Sequence, residues 1–136
     1  MIVVAIIAIL AAILIPNFLR ARAQSQVAAT KGNLKNVATA LESYFVDFAQ
    51  YPQFAGALSA SYARALPTDP CTGTAFGSSP GYAYSPNPPA ANPAMDYVLQ
   101  SNWAVGSPCY NASTSPQYPA GSNWIYTPGG GLSPTP

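Results

Sequence analysis

The first nineteen residues of this 136-residue chain carry no charge, and the first fifteen, MIVVAIIAILAAILI, carry no polar side chain. Met1, Ile2, Val3, Val4, Ile6, Ile7, Ile9, Leu10, Ile13, Leu14 and Ile15 are interspersed only with alanine. A helix built from such a run is apolar all the way round rather than along one stripe, so it cannot close on itself in water. Length alone leaves it at a border: a bilayer span takes about 20 apolar residues, whereas stretches of about 10 to 14 are more often core helices or signal segments. A removed secretory signal opens with a basic region and ends at a small-residue cleavage site. This run opens apolar and continues into more helix-forming sequence. A buried core helix needs flanking elements to wrap it, which a solid apolar run at this position lacks. The remaining partners are lipid or further copies of the same segment, and Ala5, Ala8, Ala11 and Ala12 permit the close helix approach such packing uses.

Composition sharpens the point. Only 7% of residues are charged while 49% are hydrophobic, against about a quarter charged in an ordinary soluble domain. At this length one structural unit is expected, with residues 1–50 as the anchoring and packing helix and 51–136 as a small head.

From Asn17 to about Gln50 the sequence holds one glycine, Gly32, and no proline, and is rich in helix formers. Leu34, Val37, Leu41, Tyr44 and Phe48 recur at three- and four-residue spacing with Phe45 beside them, which predicts one apolar stripe packed on a sheet. Tyr51-Pro52 predicts the helix end near Ala49 to Tyr51. Pro16 lies inside the run. It removes a backbone donor and crowds the preceding turn, so the helix is expected to kink or lose order near it, with Phe18 continuing the apolar surface beyond.

After Tyr51 the character changes: residues 52–136 contain fourteen prolines, nine glycines and three charged side chains, Arg64, Asp69 and Asp96. Short antiparallel strands are expected at Gly81 to Ser85, Tyr97 to Trp103 and Asn123 to Thr127, between long loops. Pro128 to Pro136 reads as an unstructured tail, with Gly129-Gly130-Gly131 a flexible element in it. Cys71 and Cys109 form a pair whose bridge closes a loop of about 39 residues, worth roughly 4 kcal/mol on a chain-entropy account. Asn111-Ala112-Ser113 satisfies the N-glycosylation acceptor pattern, which short matches often do by chance.

Catalytic chemistry has little to work with. There is no histidine and one glutamate, Glu42, and the three aspartates are scattered, so neither a triad nor an acid-base pair is expected. No cofactor or metal is expected, and Asp69 reads as a turn former rather than a calcium ligand. Arg20, Arg22, Lys31 and Lys35 make no basic patch of the kind a nucleic-acid site needs.

Met1 to Arg22, MIVVAIIAILAAILIPNFLRAR, closely resembles the N-terminal segment of the type IV pilins and the related pseudopilins of type II secretion, including Pro16-Asn17 after the apolar run. Leu41 to Pro52 looks like the end of that family's long helix, and Leu66 to Pro70 is similar to a turn of the major pseudopilins. The resemblance implies an α+β fold: a long N-terminal helix packed on a small antiparallel sheet. It implies insertion in the inner membrane, then extraction by an assembly machinery into a helical homopolymer with the apolar helices inside. It also implies melting just ahead of Pro16 in the filament. The family's mature chains open on a phenylalanine-threonine-leucine-isoleucine-glutamate-leucine segment, and about six such residues are expected ahead of Met1, which would bring the span to about 20. Arg20 and Arg22 alone would place the head in the cytoplasm by the positive-inside rule, whereas the cysteine pair and low charge argue for the outside. The major-pilin reading, a surface fibre for adhesion, motility or DNA uptake, stands first. A periplasmic secretion pseudopilin is the alternative. A monomeric membrane-anchored binding module is a third, and a concave aromatic pocket on the head would mark it.

Overall fold

The computed structural model describes residues 1–59, 61–87, 89, 93–105, 107–112 and 123–135. One helix, α1 (Ile2–Phe48), takes up 47 residues and is about 70 Å long at 1.5 Å per residue. A 3-10 turn (Ala55–Leu58) and a long loop follow. The chain then forms β1 (Gly81–Asn87), β2 (Asp96–Asn102), a short helix α2 (Pro108–Ala112), β3 (Trp124–Thr127) and β4 (Gly131–Pro134). The strands pair antiparallel in the order β1-β2-β3-β4. The architecture is thus α+β, a long helix against a four-stranded sheet.

The buried positions of α1 are Ala23, Val27, Thr30, Leu34, Val37, Ala38, Ala40 and Leu41. Their spacing of three and four keeps them on one face. Across from them β2 alternates: Tyr97, Leu99 and Ser101 point inward and their neighbours outward, the period-two signature of a half-buried strand. Leu34, Val37 and Leu41 thereby meet Tyr82, Tyr97, Leu99, Trp103 and Trp124 in a single core.

The helix ends where Tyr51-Pro52 led one to expect. Ala49 takes the left-handed cap conformation (φ 53°, ψ 24°) and its N–H donates to Phe45 O at 2.7 Å, and Tyr51 N–H then donates to Ala94 O at 2.8 Å. At Pro16 helical backbone continues without interruption, so the expected loss of order there is absent from α1 as described. The one intrahelical bond that proline lacks is tolerated with the turns on either side intact.

The expected tail is a correction. Pro128 to Gly130 form the turn of a hairpin, and Gly131 to Pro134 are its second strand, with Thr127 opposite Gly131 and Trp124 opposite Pro134. Gly131 has φ 67°, a conformation glycine adopts at no steric cost. Thr127 Oγ1 accepts from Gly130 N–H, and Thr135 N–H donates to Asn123 O at 2.7 Å. Pro134 fits because β4 is an edge strand, where a missing donor is harmless. Gly81, at the start of β1, is needed for a different reason: a Cβ there would lie 2.3 Å from Thr74 Oγ1.

Candidate assembly surface

The buried stripe of α1 begins at Ala23. N-terminal to it, thirteen large apolar side chains between Met1 and Leu19 are each more than half exposed. They include every large apolar residue named above for the run, and Phe18 at 68% exposure. An eighteen-residue window there has a mean hydropathy of 2.9 with none of it covered by protein. At roughly 1.5–3 kcal/mol per buried side chain, covering all thirteen is worth roughly 20 to 40 kcal/mol, several times the 5–15 kcal/mol net stability of a typical domain. A surface of that size on a water-soluble monomer would aggregate.

Of the expected helix-to-sheet residues, Leu34, Val37 and Leu41 are buried in the core, and Tyr44 and Phe45 pack on its margin. Phe45 stacks on Tyr51 at 4.7 Å between ring centroids. Phe48 departs from this face. It is 53% exposed and lies against Tyr44 and Tyr62, 4.5 and 6.3 Å away between ring centroids.

Cys71 and Cys109 are joined, with their Cα atoms 6.0 Å apart. The bridge ties the loop at Cys71 to α2 beside α1, about two turns beyond the exposed run: Gln26 Nε2 donates to Pro70 O at 2.8 Å, and Thr30 Oγ1 lies 4.0 Å from Cys71 Sγ. Asn111 stands in α2, and its acceptor triplet runs on into residues outside those described.

Sequence reasoning missed how the few carboxylates are used. Asp69 is fully buried: Oδ1 accepts from Cys71 N–H (2.9 Å) in a turn, and Oδ2 accepts from the Trp103 indole N–H (2.8 Å). The turn former is also a core anchor. Glu42 accepts from Tyr51 Oη at 3.0 Å and Tyr97 Oη at 3.2 Å. Burial first, and then the hydrogen bond to Glu42, pushes the Tyr51 phenol up to about 12, and burial raises Tyr84 and Tyr97 further. Lys31 sits 3.6 Å from the centre of the Trp124 ring, its pKa lowered by burial and by Lys35 one turn on. Two signals could have found some of this: Asp69 begins a D-P-C turn, and Glu42 is the first acid on a helix that opens with four cations. Neither names the distant partner.

Among the described residues no group of three or more His, Cys, Asp or Glu side chains is placed to hold a metal. Two grooves are formed by described residues of the head. One, of about 340 Å³, lies between α1 and the disulfide. The other, of about 350 Å³, is lined by Phe54, Leu66, Phe76 and Tyr84.

A long helix, half clothed by a four-stranded head and half bare and apolar, has the α+β architecture of the type IV pilin fold. The chain is similar to the type IV major pilin protein PilA of Myxococcus xanthus (strain DK1622), with 53% identity over 55 residues, which is 40% of this chain and 25% of that protein. No family model matches the chain, and no solved structure matches it. The match to PilA thus spans a quarter of that protein's length, and by length and composition α1 is able to cross a membrane.

Proposed function

We propose that this chain is the major structural subunit of a type IV pilus-like extracellular filament. Its apolar helix is held in the inner membrane before assembly and is then packed against copies of itself in the filament core. The observation that carries this reading is the thirteen exposed apolar side chains of α1, continuous in one helix with the stripe that holds the head. Lipid and a bundle of like helices can each cover such a surface, and exchange between them needs no refolding of the head. The fibre would serve adhesion, motility or DNA uptake, with Met1 to Ile15, Pro16 and Phe18 in the core.

A second reading, the membrane-anchored binding module, draws support from the groove at Phe54, Phe76 and Tyr84, a concave aromatic surface on the head. Electron microscopy of material sheared from cells, with mass spectrometry of its subunits, separates the two. Filaments a few nanometres wide built of this chain are the expected result. A monomer confined to the membrane fraction would overturn the filament and leave the module, while filaments confined to the periplasm would point to a secretion pseudopilin.

A further inference from the structure

The groove of about 340 Å³ lies where α1 leaves its apolar run. Leu19, Arg22 and Gln26 form its helix side, and Ser107, Pro108 and the Cys71–Cys109 disulfide form its head side. Building on the reading of α1 as a membrane anchor, we propose that this groove binds the phosphate-bearing headgroup of an anionic phospholipid, with Arg22 and Ser107 as its donors.

Depth is the first argument. Whatever precedes Met1, the polar end of the apolar run is fixed by Arg20, the first charge. Leu19 therefore marks the edge of the hydrocarbon, and Gln26 lies about 10 Å further along the axis. The headgroup layer on one side of a bilayer is about 5–8 Å thick. The groove opens across that layer, and its volume is in the range of pockets that take small ligands.

Charge is the second. Four cations, Arg20, Arg22, Lys31 and Lys35, precede the first acid of the chain, Glu42. All four carboxylates take hydrogen bonds from uncharged donors: Glu42 from Tyr51 and Tyr97, Asp47 from Tyr62, Asp69 from Cys71 and Trp103, and Asp96 from Tyr97 N–H. Lys31 lies over the Trp124 ring, and among the described residues none of the hydrogen bonds to these carboxylates comes from Arg20 or Arg22. Lys31 lies about 14 Å along the helix from Arg22, beyond the roughly 8 Å screening length at physiological salt, so Arg20 and Arg22 act at the membrane surface. Arg22 alone of the two lines the groove, and a guanidinium can meet a phosphate with two parallel bonds.

The third argument is a spare proton. Ser107 Oγ accepts from Tyr110 N–H at 3.2 Å, which leaves its own hydrogen to donate. Thr72, on the same wall, has no such freedom. Thr74 Oγ1 donates to Pro80 O, so the 2.6 Å contact between the two hydroxyls uses the Thr72 hydrogen.

The test uses the full chain in phosphatidylcholine nanodiscs with and without phosphatidylglycerol, read by native mass spectrometry of retained lipid and by the amide resonances of Thr72, Ser107 and Cys109. The expected result is selective retention of phosphatidylglycerol with shifts at those amides. Arg22→Gln should weaken retention about fivefold, the equivalent of about 1 kcal/mol for a basic residue at an anionic surface. Ser107→Ala should weaken it less, and Arg20→Gln should leave the shifts in place. Equal retention of the two lipids overturns the site. So does an Arg20→Gln effect equal to that of Arg22→Gln, which would mean diffuse surface attraction. So do the same shifts from inorganic phosphate in neutral detergent, which would mean a free-anion site. A chain that fails to insert at all overturns the anchor reading, and this site with it.

Discussion

The two halves of α1 share one backbone and differ in everything else. Residues 2–19 are uncharged and leave their large apolar side chains exposed, whereas residues 23–48 are apolar on one buried stripe and owe their order to it. An isolated helix in water is marginal, since most helical stability in proteins comes from packing rather than propensity. The second half therefore draws its stability from the sheet, and the first half must draw its own from lipid or from other helices. The junction lies at Arg20 to Ala23, where the charge begins, the burial begins and the groove beside the disulfide opens.

If that division is right, a substitution should damage one half and spare the other. Leu34→Ala, at a site with no exposure, should cost the head about 2–5 kcal/mol, the usual range for a buried leucine. Urea unfolding of the head in detergent checks it, and partition into membranes should not change. A loss of membrane partition in that variant would break the comparison.

The reverse substitution is Ile9→Asp, at a site 64% exposed. A carboxylate at the centre of a span costs about 2.5–3.5 kcal/mol on insertion scales. Membrane-fraction yield and filament yield should both fall, while the unfolding free energy of the head, from urea curves, stays within about 0.5 kcal/mol of the parent, as for surface changes generally. A destabilised head would mean that the apolar run contributes to the head fold after all.

How much of this division could be read in the sequence depends on distance along the chain. The apolar run, the stripe from Leu34 to Leu41 and the stop at Tyr51-Pro52 are local patterns, and each appears in the structure where its period placed it. Strand β4 was hidden, because Gly129-Gly130-Gly131 has the composition of a loose tail and becomes a turn only through the pairing of Trp124 with Pro134. In retrospect a glycine run between Trp124-Ile125-Tyr126-Thr127 and Leu132 is a hairpin signal. The anchors of the core were hidden for the same reason, since Asp69 meets Trp103 across 34 residues and Glu42 meets Tyr97 across 55. No local period encodes such pairs. Phe48 fits the stripe by spacing and still stands half exposed, because spacing says which face a residue occupies and not what packs over it.

A third measurement sharpens the comparison through pH, since every tyrosine with a raised pKa sits in the head or on the packed half of the fold. Tyr51, Tyr82, Tyr84 and Tyr97 are all held protonated above their ordinary range, chiefly by burial. Between pH 10, where an unfolded tyrosine titrates, and about 12, where Tyr51 titrates in the fold, the folded state binds more protons than the unfolded one. Stability is thus fully present below pH 10 and falls as pH rises through that window. Urea midpoints measured across it should decline, and Tyr51→Phe should make the decline shallower. Residues 2–22 contain no tyrosine, so membrane partition has no reason to follow the same curve.

The smallest effect concerns one residue type at two places. Ala49 closes α1 in the left-handed region, which costs an L-residue roughly 1–2 kcal/mol, while glycine gives back about 0.4–1 kcal/mol through the greater freedom of its unfolded chain. Ala49→Gly should therefore raise head stability by about 0.5–1 kcal/mol, read as a higher urea midpoint with an unchanged slope. Ala8→Gly makes the same chemical change in the bare half, where glycine in a helix interior costs roughly 1 kcal/mol against alanine. Its cost should leave the head's urea curve untouched and show up as faster amide exchange around residue 8 in micelles. If Ala8→Gly shifted the head's midpoint as well, α1 would be one cooperative rod, and the independence of its two halves would have to be given up.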